Sequence, residues 1–179
     1  MLQLEIVPRE EWNHTTQEFV YTPGAKLQLE HSLVSISKWE AKHCKVFLSK
    51  EPKTVEETID YIRCMTLTQN VDPDVYNYIT PENMQQVNAY LEAPMTATVV
   101  PETPGPKSRE TITSELIYFW MISYNIPVKF EKWHLNRLLT LIRVCSFKNT
   151  TPKKQSPRDI MSRNKAENMR RRQRLGTKG

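Results

Sequence analysis

The side chains with chemistry to offer are few and scattered. His43-Cys44 is the one adjacent pair of soft ligand or nucleophile types, with Cys64, Cys145 and His134 further along the chain. Zinc sites usually draw ligands from close local pairs, such as two Cys separated by two to four residues, and the chain has none. Cys64 and Cys145 fall on apolar helix faces, where a thiol behaves as a small hydrophobe. His134, beside Trp133, has the ring of a general base. No Ser or Cys in a strained turn accompanies it, and no third group is identified to orient it. Glu56, Glu57 and Asp60 gather at a helix start, where interaction with the helix dipole accounts for them. These residues point to no catalytic centre, no metal and no cofactor. A binding or assembly protein is expected.

Composition narrows the class further. At 179 residues the chain suffices for one ordinary domain with a short appendage. Its 39% hydrophobic content can bury a core. Four Gly against 12 Pro argue against Gly-rich phosphate cradles and flexible Gly/Ser linkers. Three widely spaced Cys exclude a disulfide scaffold and suggest a reducing compartment. The N-terminal residues lack the pattern of a signal peptide. The most apolar stretch, Ile112 to Ile126, is shorter than the roughly 20 residues of a spanning helix, so no membrane crossing is expected.

The elements that would position any site begin with strands. Leu2, Leu4 and Ile6 alternate with Gln3, Glu5 and Val7, and Pro8 stops the run. Glu18–Thr22 and Lys26–Glu30 read as two more strands joined through Pro23-Gly24, a type II turn dipeptide. From Ser32 the period lengthens: Leu33, Ile36 and Trp39 share a helical face, with Ser35 off it. Thr54-Val55-Glu56-Glu57 is a capping box before a stripe of Val55, Ile59, Ile62 and Met65. Asp72-Pro73 and Thr80-Pro81 each place a capping oxygen before a proline. The second pair opens a helix with Met84, Val87, Tyr90 and Leu91 inward. Residues 94–107 form a Pro-rich loop, with Met95–Val100 a candidate short strand. Ser108 opens a helix to about Tyr124 carrying Ile112, Leu116, Phe119, Trp120 and Ser123 on one side. A last core helix from about Phe130 to Phe147 buries Trp133, Leu138, Leu141, Ile142 and Cys145. Its wide apolar surface marks it as the central helix.

The expected fold is therefore α+β: a small N-terminal antiparallel β-sheet, then a mainly α-helical bundle, then a basic C-terminal arm. Residues 1–149 form the globular domain, β-rich over 1–30 and helical over 31–149. Residues 150–179 form the arm, flexible or conditionally helical. After a linker at Thr150–Gln155, Ser156-Pro157 has the form of a capped start. The stretch that follows has too few apolar residues to bury much surface.

Charge sets the arm apart. From Lys148 to Gly179, eleven of the chain's 25 basic residues meet only two of its 20 acidic ones, a net charge of +9. The rest of the chain carries −4. Arg163, Lys165, Arg170, Arg171, Arg172 and Arg174 are candidate partner-binding residues. They serve a solvated end, phosphate contact with counterion release, or docking on an acidic protein partner. Of the tryptophans at 12, 39, 120 and 133, three fall on helix faces. Burial is the commoner fate of such residues; Trp12, in the loop between strands, is the best placed of the four for exposure and joins the candidates, since exposed aromatics favour protein contact. Tyr76, Tyr78 and Phe147 come next.

Several phrases carry a resemblance. Leu29-Glu30-His31-Ser32-Leu33-Val34-Ser35-Ile36-Ser37-Lys38-Trp39-Glu40, Tyr61-Ile62-Arg63-Cys64-Met65-Thr66, Ile117-Tyr118-Phe119-Trp120-Met121-Ile122, Trp133-His134-Leu135-Asn136-Arg137-Leu138-Leu139 and the ending Leu175-Gly176-Thr177-Lys178-Gly179 are similar to a family of small proteins of tailed bacteriophages. The resemblance runs through nearly the whole chain in the same order. It implies a tail assembly chaperone: a non-catalytic helical protein of the infected host's cytoplasm that binds the tape-measure protein and helps recruit tail-tube subunits. It implies no catalytic, cofactor or metal residues. Self-association is open. The rivals are a virion structural component, such as a head–tail connector or neck subunit, and a nucleic-acid-binding regulator acting through the arm.

Overall fold

The computed structural model describes residues 1–15, 17–22, 24–100, 111–149 and 157–176. The chain divides into two compact units, 1–147 and 148–179. The first is an α+β fold with a small N-terminal antiparallel sheet followed by helices, as the sequence predicts.

Four short strands open it: β1 Leu2–Ile6, β2 Arg9–Asn13, β3 Glu18–Thr22 and β4 Ala25–Leu29. β1 pairs with β4 from Leu2↔Leu29 to Ile6↔Ala25, and β2 pairs with β3 from Arg9↔Thr22 to Asn13↔Glu18. The register is the same in both ladders. They are two halves of one long hairpin, broken where Pro8 withholds a backbone donor. This corrects the expected turn at Pro23-Gly24. β3 and β4 do not pair with each other, and the chain reverses between Asn13 and Glu18, with Gln17 left-handed at φ 53°. Pro23 itself lies outside the described residues. Trp12 accordingly sits in a strand, not a loop. Gly24 is needed because a Cβ there would lie 2.5 Å from Pro8 Cδ and 2.9 Å from the Ile6 carbonyl oxygen on the opposite strand.

Leu4, Ile6, Leu27 and Leu29 turn one face of the β1–β4 half into the core. Its outer edge is covered on the β4 side, where Leu67 N–H donates to Gln28 O at 2.8 Å and Gln28 N–H to Thr68 Oγ1 at 2.8 Å.

Among the described residues five helices complete the unit: α1 Leu33–His43, α2 Val55–Met65, α3 Pro81–Glu92, α4 Ser114–Ser123 and α5 Leu135–Asn149, with 3-10 turns at Pro73–Tyr78 and Val128–Lys132. Local chemistry sets most starts. Thr54 and Glu57 form the expected capping box, and Thr80 with Asn83 forms another ahead of Pro81. Ser32 and Ser35 do the same for α1, so Ser35 is buried in the cap and does not lie off the core face. Asp72-Pro73 opens only a 3-10 turn. α1, which buries Leu33, Ile36 and Trp39, packs on α2, α4 and the second 3-10 turn, and so takes the central place expected of the last helix.

The later helices depart most from expectation. α4 starts at Ser114, capped by Thr113, and Ser108 lies outside the described residues. It buries Ser114, Ile117 and Met121, so Phe119 and Ile122 are 61% and 71% exposed. The side carrying Leu116, Phe119 and Trp120 is thus not the fully buried one. α4 is apolar all round, so its own pattern does not choose the face. α5 begins at Leu135 and buries Leu135, Leu138 and Ile142, with Trp133, Leu141 and Cys145 only partly covered. Met95–Val100 is not a strand, and Val55 is exposed rather than part of the α2 stripe. The loop residues 101–107 and the linker Thr150–Gln155 lie outside the described residues.

Among its described residues the second unit contains the helix α6, Pro157–Leu175. Ser156, its expected cap, lies outside the described residues.

Candidate functional site

The groups that looked most reactive in sequence are engaged in packing. His134 lies buried at the start of α5 with its Nε2 3.0 Å from the Tyr90 carbonyl oxygen. Its ring meets that of His31 edge to face at 5.0 Å. His31 Nδ1 is 2.5 Å from the Tyr61 hydroxyl, and the Tyr90 hydroxyl donates to Glu30 Oε1 at 2.8 Å. Burial, with the neighbouring His134, lowers the His31 pKa to about 3, and burial lowers that of His134 as well. Burial likewise pushes the Tyr61 phenol far above its ordinary range. Two neutral imidazoles and two tyrosines thus join the end of β4 to α2, α3 and α5.

His43 belongs to a different cluster. Its ring lies tilted against that of Trp39, centroids 4.6 Å apart, and its Nε2 is 3.2 Å from Asp60 Oδ2, a close contact without hydrogen-bond geometry. The Lys42 hydrogen bond holds the Asp60 carboxyl low. Glu57 accepts from Lys45 Nζ and from the Thr54 backbone N–H, which hold its carboxyl low too. Cys44 is exposed, whereas burial raises the Cys64 thiol. Among the described residues no three His, Cys, Asp or Glu side chains group so as to hold a metal ion.

The surfaces left open are of another kind. By strand alternation, Glu10 and Trp12 fall on the same face as Leu4 and Ile6, and Phe19 and Tyr21 on the same face as Leu27 and Leu29. The body covers that face over the β1–β4 half only. On the β2–β3 half Trp12, Phe19 and Tyr21 remain 44%, 70% and 63% exposed. Trp12 and Phe19 are cross-strand partners in edge-to-face contact, centroids 4.9 Å apart. Glu10 stands opposite Tyr21. The result is a ledge of three aromatics and one carboxylate. Phe19, Tyr21 and Glu10 were missed in sequence, although the alternation from Trp12 across the hairpin would have found them once the register was known.

All six candidate cations, Arg163, Lys165, Arg170, Arg171, Arg172 and Arg174, lie on α6 and are exposed. Helical spacing puts Arg158, Lys165 and Arg172 on one side and Arg163, Arg170 and Arg174 on nearly the opposite one. Met161, Met169 and Leu175 are exposed among them. Trp12 belongs to the first unit and the six cations to the second. A third open surface, the Phe119–Ile122 side of α4, had no distinguishing signal in sequence. Of the other aromatics, Tyr76 is buried and hydrogen-bonds Thr66 Oγ1, Tyr78 is partly covered and Phe147 is exposed.

No helix of the described residues is long and apolar enough to cross a membrane. Compared with known proteins, the chain matches no family model, no curated protein and no solved structure.

Proposed function

We propose that this chain is a non-enzymatic assembly factor of a tailed bacteriophage: a tail assembly chaperone that binds the tape-measure protein and tail-tube subunits in the host cytoplasm. The resemblance running through the chain supplies the system. The observation that carries a binding role is the exposure of three clustered aromatics on the hairpin, while His31 and His134 are spent on packing. Aromatic and arginine side chains are the types that anchor protein interfaces.

Co-expression with the tape-measure and tail-tube proteins of the same genome tests the reading. The tape-measure protein is expected to stay soluble and co-purify with this chain, and the chain to be missing from finished virions. Its abundance in purified virions would replace the chaperone reading with a head–tail connector or neck component.

A second reading, a nucleic-acid-binding regulator, is favoured by cations on both sides of α6. DNA affinity that falls steeply with salt, and is lost with Arg170→Ala, Arg171→Ala and Arg172→Ala together, would support it. No binding at low salt dismisses it.

A further inference from the structure

We infer that the β2–β3 ledge of one molecule receives the α6 helix of a second copy of this chain, so that the protein self-associates through an aromatic-acidic surface and a methionine-arginine surface.

The ledge has the chemistry of a cation receptor. Its two rungs, Trp12↔Phe19 and Glu10↔Tyr21, lie about 7 Å apart along the strands. The aromatic faces attract guanidinium and ammonium groups through the ring quadrupole, and Glu10 supplies a counter-charge between them. By the same alternation Glu10 is the charge at the ledge positions, and residues 9–22 as a whole carry three acidic residues against Arg9. That excess of acid sets two hairpins against each other and selects a cationic occupant.

The chain itself carries one. Along α6, Arg158, Met161, Lys165, Met169 and Arg172 follow each other at three- and four-residue steps and so form one stripe, about 21 Å long. In it cations and methionines occupy a single face. Thioethers pack well on aromatic rings, and neighbouring stripe positions are about 5–6 Å apart. A methionine can thus rest on the Trp12–Phe19 rung while the next cation reaches the Glu10–Tyr21 rung. The inference rests on these two surfaces and is independent of the tail-assembly reading.

Sedimentation of the full chain over a range of concentrations, at low and high salt, tests it with two variants. One carries Glu10→Lys and Trp12→Ala, the other Lys165→Glu and Arg172→Glu; all four positions are exposed, and unchanged thermal melts check the folds. The wild-type chain is expected to associate at low salt and dissociate as salt rises. Each variant alone is expected to associate about tenfold or more weakly. An equal mixture of the two is expected to regain association, because it pairs an intact ledge with an intact helix on different molecules. A wild-type chain of monomer mass at every concentration overturns the inference. So do variants that associate like the wild type, as they would if the α4 face were the contact, and a mixture no better than its components.

Discussion

Glu40, in α1, accepts the Ser114 backbone N–H at 2.8 Å through Oε2, across a sequence separation of 74 residues. Its other oxygen accepts the Phe47 N–H, also at 2.8 Å. One buried carboxylate thus fastens α1 to the loop behind it and to the first turn of α4, where the helix dipole favours negative charge. Glu40→Ala strands one buried and one part-buried donor and should cost about 2–3 kcal/mol. Glu40→Gln keeps one acceptor and should cost less. Urea unfolding midpoints measure both, and a wild-type midpoint for Glu40→Ala would show that the tie contributes nothing.

The imidazole cluster predicts acid sensitivity. His31 is held neutral with a folded-state pKa of about 3, below its ordinary 6.5. The unfolded chain therefore takes up a proton there that the folded chain refuses. This leaves stability untouched above pH 6.5 and removes it as pH falls toward the folded value, at up to about 1.4 kcal/mol per pH unit. His134 adds to the same trend. Unfolding free energy measured against pH should show the fall, and His31→Asn should flatten it while lowering stability at neutral pH through loss of the Tyr61 contact.

Gly24→Ala places a methyl against backbone and ring atoms of the opposing strand. Neither can swing away as a flexible side chain would, and a loss of about 1–3 kcal/mol is expected. Amide exchange in residues 2–13 should quicken before the helices respond. Unaltered exchange would mean that the hairpin break has more room than its geometry allows.

The two sides of α4 should respond oppositely to truncation. Ile117→Ala empties a fully buried site and should lower stability by about 3 kcal/mol. Phe119→Ala, the larger deletion, removes a side chain that faces solvent and should change it by less than about 1 kcal/mol. Thermal melts of the pair decide the matter, and a reversed order would overturn this assignment of the covered face.

Much of the fold was legible where the deciding contact is local. Thr54 and Glu57 cap α2 as three-residue neighbours, whatever the rest of the chain does. Leu33, Ile36 and Trp39 mark the buried side of α1 because its other positions are mostly polar. What failed did so for lack of local contrast. Pro23-Gly24 has good turn chemistry, but β4 pairs with β1, whose Leu2, Leu4 and Ile6 share a face with Leu27 and Leu29, and not with β3. The partnership of His31, Tyr61 and His134 had no signature, since it is assembled from three distant segments.

By itself, the sequence determined the α+β class, most helix starts and the segregation of positive charge into the last segment, because caps, periodicity and charge act over a few residues. Only the tertiary structure decided that α1 is central, which side of α4 is covered, and that Trp12 shares an open ledge with Phe19 and Tyr21. Those outcomes depend on which distant surface arrives to exclude water, and that is a property of the packed whole.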